Sequence, residues 1–401
     1  MLWNRVPKVL QQPAFRTIWI AQFVSIFGDF LAIFAVISRI TFKLHGTPAD
    51  VAVVMVSYML PVAIVGPLAG VLVDRWRVKR VMIASDLIRG VLALLLVYAH
   101  GVPQIALVMA LIGLVSSFFA PAQSVALRTL VPKDDLLAAN AMLSQAFYAV
   151  RILSPAIAGA IVAWAGENVC FWFDGASFGF SAMMISRLTI ERPLTHEGSV
   201  KALTHDFAEG NRFIWTHRAL SFAFLASAAA MFMLSSFSPL ISIYIRDSLH
   251  AGTMMYGAIS SMVGVGLIAG TVLVQKAAKD RPMASVIVAG LWGVAAGAGL
   301  LGAFQLTATA AMSTFLVGAG IAFVVVPAQT LSQRETPQAM QGRVSSTFMS
   351  LFSLAQVLGL LLSGVLATQL GIRPLFLTCA AATALLSLAS WLVLRPQPEV
   401  A

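Results

Sequence analysis

PAQSVALRTLVP occupies residues 121–132 and PAQTLSQRETP occupies residues 327–337. The two Pro-Ala-Gln triplets stand 206 positions apart, a spacing at which Arg128 also meets Arg334. After a slip of one residue, Pro132 meets Pro337, Gly159 meets Gly364 and Gly166 meets Gly371. Upstream, VGPLAG at 65–70 pairs with VGLIAG at 265–270, 200 positions on. Self-similarity over so long a period means one structural unit built twice.

The surroundings of these repeats say what kind of unit it is. Of 401 residues, 59% are hydrophobic and 10% charged, against about 25% charged in a soluble domain. Runs near the roughly 20 apolar residues needed to cross a bilayer core recur from about residue 15 to about residue 395, and we read twelve: 15–41, 50–73, 81–99, 104–127, 137–164, 168–188, 219–245, 255–275, 283–304, 307–330, 344–369 and 374–394. The strict alternation of a membrane barrel strand is missing. The expected fold is therefore all-α and integral to the membrane, with twelve transmembrane helices in two pseudo-symmetric halves. These are an N-terminal half at 1–188, a cytoplasmic linker at 189–218 and a C-terminal half at 219–401.

Charge sets the expected orientation. All but five of the 26 Lys and Arg fall on one side if both termini are cytoplasmic, the exceptions being Arg39, Lys43, Arg246, Arg373 and the intramembrane Arg151. The net charge of +10 then reads as a topology signal and a contact for anionic lipid headgroups, with no role for nucleic acid. Arg5, Lys8 and Arg16 lead into a first span too long for a cleavable signal. Cys170 and Cys379 lie within spans and show no metal or redox spacing. In the linker, Phe207, Asn211, Ile214 and Trp215 fall near one helical face, as in an interfacial amphipathic helix, and His196, His205 and His217 lack metal-site spacing.

Ionisable groups at membrane depth cost about 2.5–3.5 kcal/mol even on the lenient insertion scale, so they are paired or functional. Three stand out: Asp29 in span one, Arg151 in span five and Asp174 in span six. Gln22, Ser25 and Asp29 share a helical face, and Phe23, Phe27, Phe30 and Phe34 share the neighbouring one. Asn140, Ser144, Tyr148, Arg151 and Pro155 form a second stripe. Both Asp29 and Arg151 lie about 21 Å from the start of their helices at 1.5 Å per residue, so we expect the two to meet, with Asp29 alternately paired and protonated. Gln356 takes the place of Arg151 in the second half.

GVLVDRWRVKR at 70–80 closes span two with one acid among bases. It resembles the loop between helices two and three of the major facilitator superfamily, through Gly70, Leu72, Asp74, Arg75, Lys79 and Arg80; Arg77 stands where that pattern has a second glycine. AQFVSIFGDFLAIFA at 21–35, FFAPAQSVALRTLVPKDDLLAANAM at 118–142 and DFAEGNRFIWTHRAL at 206–220 extend the resemblance over nearly the whole chain, toward the bacterial branch of macrolide, other drug and siderophore exporters. The resemblance implies a gating loop in which Asp74 latches the halves, supported by Arg75 and Arg80, above a close-packed face at Gly66 and Gly70. At an offset of 200, Val274 replaces Asp74. The region of Pro155 and Gly159 is similar to the antiporter motif of helix five, with Ser154 in place of its glycine.

Helix one lines the central cavity in the resembled fold, so Gln22, Ser25 and Phe30 become cavity candidates, with Gln123 on span four, Met231 on span seven and Phe323 on span ten. The implied activity is secondary active transport of a small amphipathic organic substrate by alternating access, with a proton gradient as energy source and no cofactor. Lysophospholipid or siderophore movement is the alternative within the fold. No phosphate-binding glycine loop occurs, and Gly264, Gly266 and Gly270 have the wrong spacing for a dinucleotide. A membrane enzyme would need a clustered reactive set, and a receptor an extended sensory domain. The bacterial plasma membrane is the expected location, and a monomer suffices because both halves lie in one chain.

Overall fold

The computed structural model describes residues 8–73, 75–190 and 209–393. Twelve helices are long and apolar enough to cross a membrane, and no strand occurs among the described residues. In chain order they are α1 Pro13–Ser38, α2 Pro48–Val73, α3 Val78–Leu95, α4 Val102–Leu130, α5 Leu136–Ala165, α6 Glu167–Ser186, α7 Arg218–Asp247, α8 Thr253–Asp280, α9 Met283–Ala303, α10 Thr307–Glu335, α11 Gln341–Leu370 and α12 Ile372–Val393. In a lipid medium the helix satisfies its own backbone, which is why runs of apolar residues take this form. Gly166 and Gly371 end α5 and α11 at φ +81° and +84°. That left-handed turn is open to glycine without strain and allows the next helix to begin at once.

The helix starts fix the internal repeat. Pro13 and Arg218, Pro48 and Thr253, Val78 and Met283, Val102 and Thr307, Leu136 and Gln341, and Glu167 and Ile372 are each 205 residues apart. The Pro-Ala-Gln match is thus off by one residue and the VGPLAG match by five. Gly, Ala, Val and Leu recur wherever apolar helices pack, so short similarities arise at several offsets, whereas helix starts cannot drift. The corrected register also moves the counterpart of Asp74 from Val274 to Lys279, beside Asp280 and Arg281, so the acid-base pair is present in both halves of the sequence.

Two compact units emerge, one of Met1–Leu44 with Val54–Val200 and the other of His45–Val53 with Lys201–Ala401. In the first, α1 packs on α5 and α6, and α3 packs on α4 and α6. In the second, α10 packs on α8 and α9, α11 on α7, and α12 on α9. Backbone contact is closest at glycine. A side chain at Gly113 in α4 would overlap the carbonyl oxygen of Tyr58 in α2, and one at Gly318 in α10 would overlap that of Val263 in α8.

These two contacts repeat at the same interval of 205. Beside Gly113, the Ser117 hydroxyl donates to its carbonyl at 3.0 Å and to that of Pro61 at 3.2 Å. Gly66 and Gly70 behave otherwise: a Cβ at either meets nothing within 4 Å, so the close-packed face expected there is not formed among the described residues.

The described linker residues are helical at 209–216. Arg343 at the start of α11 donates to Glu209 at 2.6 Å, and Ile214 is buried while Trp215 is exposed. Hence the apolar side of this helix packs against protein. Phe207, His196 and His205 lie outside the described residues.

Candidate functional site: a buried charge cluster beside a polar cavity

The strongest polar feature begins on α3. Asp86 and Arg89 are one helical turn apart and pair at 2.5 Å, their side chains 0% and 7% exposed. Spacing of three residues places them on one face, and that face is turned inward. The Arg89 guanidinium lies 4.4 Å from the ring centre of Phe119 on α4 and 4.3 Å from that of Phe178 on α6. Two aromatic rings thus contact the cation, an arrangement to which the planar guanidinium is especially suited because it can also stack.

Asp174 on α6 is 3% exposed, and its Oδ1 has no hydrogen-bond partner. It fits there because α1 carries glycine opposite: a Cβ on Gly28 would come 2.7 Å from Asp174 Oδ1. The neighbouring Asp29 is partly buried and interacts electrostatically with Arg89, Asp86 and Asp174. Tyr58 on α2 is within reach of the same field. Within the first unit Asp29, Asp86 and Asp174 thus all interact electrostatically with the cation of Arg89. Asp86 Oδ2 and Arg89 Nε also lack hydrogen-bond partners.

This corrects the sequence pairing of Asp29 with Arg151. No ion pair joins them in this structure; the charge interaction found for Arg151 on α5 is with Tyr148, one turn away on its own helix. Equal depth along two helices says nothing about the direction each side chain takes around its axis. Asp86 and Arg89 went unread in the sequence, although an acid and a base at i and i+3 inside the apolar span 81–99 were a usable signal.

The cavity candidates divide between the two units. Gln22 on α1 and Gln123 on α4 line one cavity of about 310 Å³ with Asn140, Ser144, Phe147 and Tyr148 of α5. Gln22 is buried and its Nε2 has no partner, leaving a donor at the wall. Phe30 meets Phe147 edge to face at 5.6 Å, and Phe147 meets Tyr148 at 5.8 Å, so aromatic surface runs from the residue after Asp29 to the cavity. Ser25 is buried beside them on α1. In the second unit, Met231 is buried with its sulfur 3.6 Å from Gln356 Nε2. Phe323 lies on the α9 side of α10, with its Cβ against Gly290.

Of the gating loop, Asp74 lies outside the described residues. Arg75 and Arg80 are exposed, and their amides donate to Leu72 O at 3.1 Å and Arg77 O at 2.8 Å. Gly70 precedes them in open surroundings.

The chain matches the Major Facilitator Superfamily over residues 18–360 and again over 286–401. It belongs to that family. The chain is 27% identical over 399 residues to the uncharacterized MFS-type transporter YfiS of Bacillus subtilis, covering 92% of both chains. It is also 27% identical over 401 residues to the multidrug efflux pump Tap of Mycobacterium tuberculosis, covering 92% of this chain and 90% of that one. Among solved structures, a mutant of the nucleoside transporter NupG superposes with a TM-score of 0.77 at 12% identity, over 94% of this chain and 99% of the other.

The major facilitator protein described here is accordingly a multi-pass membrane transporter and not an enzyme. Its twelve helices are those of the family fold.

Proposed function

We propose that this transporter exports small amphipathic organic molecules, drugs among them, in exchange for protons. The observation that carries the reading is the adjacency of two sites on α1: the cavity at Gln22, with its polar and aromatic wall, and the charge cluster at Asp29. A volume of about 310 Å³ is at the lower end of small-molecule sites, and amides beside aromatic rings suit a molecule with one polar and one apolar end. The similarity to an efflux pump over nine-tenths of the chain supports outward direction.

The cluster supports proton exchange through its charge balance. Arg89 compensates Asp86 directly, which leaves Asp29 and Asp174 together without a cation of their own. Two carboxyl groups sharing a site poor in water do not both ionise. The second proton is held until water or a cationic substrate reaches Asp29, the member of the pair that is only partly buried. Arg89 sets the field and Asp29 exchanges the proton. Alternating access around a midplane site then couples the two movements. The location is the bacterial inner membrane with both termini cytoplasmic, and a monomer is the working form.

The test is flux of a fluorescent lipophilic cation in proteoliposomes carrying an imposed pH gradient. The parent protein is expected to accumulate the dye only with the gradient, and Asp29→Asn to fall to the level of empty vesicles while still binding it. Gradient-driven transport by Asp29→Asn would remove Asp29 from the coupling step. A parent inactive on lipophilic cations but active on a lysophospholipid or a siderophore would replace the cargo assignment.

A further inference from the structure

A further cavity opens at the loop end of α3. It measures about 730 Å³, and its lining includes Arg77, Arg80, Trp76, Ile88, Leu114 and Phe118. One end is basic and the rest is apolar. Arg77 and Arg80 are exposed, and among the described residues neither forms an ion pair. Trp76 stacks on Phe118 with ring centres 5.9 Å apart and planes 18° apart, making a flat wall between the arginines and the apolar part.

The apolar part does not stop at the cavity. Ile88, Val91 and Leu95 leave one exposed ridge on α3, and Leu107, Leu111 and Leu114 leave another on α4. From Arg80 to Leu95 is about 22 Å along α3 at 1.5 Å per residue. Half of a bilayer core is about 15 Å, so the stretch from the arginines to the far end of the ridge more than covers the depth of one leaflet. Two long apolar ridges beneath paired arginines fit a molecule with an anionic head and a long tail, held in the membrane.

We infer that this cleft binds an anionic phospholipid, its phosphate on Arg77 and Arg80 and one acyl chain between α3 and α4. The guanidinium groups supply bidentate donors for phosphate oxygens, and a tryptophan at the level of the headgroups is the side chain expected there. Unlike the general attraction of basic loops for acidic membranes, this site has a shape and a capacity of one molecule. It is independent of the cargo and of the coupling residue.

The experiment uses the full chain in an uncharged detergent. It is titrated with phosphatidylglycerol brominated on its acyl chains, with brominated phosphatidylcholine, and with inorganic phosphate. Brominated phosphatidylglycerol is expected to quench a component of the tryptophan fluorescence that Trp76→Phe removes. Arg77→Gln with Arg80→Gln is expected to weaken that binding roughly thirtyfold, about fivefold for each arginine at a membrane surface. Lysine at both positions is expected to keep most of the affinity, which separates lost charge from lost fold.

Equal binding of phosphatidylcholine would overturn the proposal, because the arginines would then select nothing. Displacement of the lipid by phosphate would make the cleft a phosphate site instead. Quenching that survives Trp76→Phe would place the lipid elsewhere, and full affinity in the double glutamine variant would also end the assignment.

Discussion

The same clamp is made twice in this protein, once with an ion and once without. In the first unit, Arg39 donates to the carbonyl oxygen of Leu96 at 2.6 Å and of Ala99 at 3.3 Å, reaches Asn168, and lies 4.6 Å from the ring centre of Phe171. In the second, Tyr244 donates to the carbonyl of Phe304 at 2.7 Å and meets the ring of Phe376 at 5.9 Å. Arg39 and Tyr244, Ala99 and Phe304, and Phe171 and Phe376 are each 205 residues apart. A neutral phenol therefore serves as well as a guanidinium in tying the end of one helix to its neighbours.

The charge cluster carries the comparison further. Adding 205 to Asp29, Tyr58, Asp86, Arg89 and Asp174 gives Leu234, Val263, Leu291, Val294 and Cys379. Every member of the cluster has an apolar or thiol counterpart, and Leu291 and Val294 are fully buried. The fold does not need the cluster, since the second unit builds the same helices without it. Buried ion pairs are often no more stabilising than apolar residues of similar volume. Their retention in one unit points to a task other than holding helices together.

Substitution tests how far this equivalence goes. Arg89→Val should have the largest effect, because Asp86 then keeps its charge in the interior with no partner. The loss expected is about 3–5 kcal/mol, seen as a fall in the denaturation midpoint of the purified protein. Installing the second unit's residues together, Asp29→Leu, Asp86→Leu, Arg89→Val and Asp174→Cys, should return the midpoint to that of the parent or above while abolishing gradient-driven flux. A combined variant as unstable as Arg89→Val would make the cluster structural and break the comparison.

The glycine contacts should respond alike in both units. Gly113→Ala and Gly318→Ala each press a methyl group on a facing carbonyl, and overpacking of this kind costs about 1–3 kcal/mol. Gly70→Ala, with open space around it, should lose nothing and gain up to about 1 kcal/mol from helix propensity. A large loss at Gly113 with none at Gly318 would mean that the shared register conceals different packing. The clamps should differ from each other: Arg39→Ala removes charged hydrogen bonds, about 1.5–3 kcal/mol, and Tyr244→Phe removes one neutral hydrogen bond, about 1 kcal/mol.

Twelve helices and a duplicated plan were legible in the chain because apolar length and self-similarity are properties of sequence alone. The register was legible only in part. Pro-Ala-Gln and VGPLAG gave offsets of 206 and 200 while Pro132, Gly159 and Gly166 met their counterparts at 205, and the helix starts with the paired contacts Gly113 with Tyr58 and Gly318 with Val263 decided for 205 throughout. Asp29 and Asp174 drew attention as charges amid apolar residues. Asp86 and Arg89 carried the same signal inside span 81–99, as an acid and a base three residues apart, but which side of that helix faces the interior is set by packing.

By itself the sequence determined the medium, the number of crossings and the family, because the cost of placing backbone and charge in lipid leaves few alternatives. Which charges meet was decided by tertiary structure. Helical periodicity gives a side chain its face relative to its own axis, but the rotation of α1, α3 and α6 against one another comes from packing, from the missing side chain of Gly28 and from the rings of Phe119 and Phe178. With those contacts in place Asp29 interacts electrostatically with Arg89, and Arg151 with Tyr148.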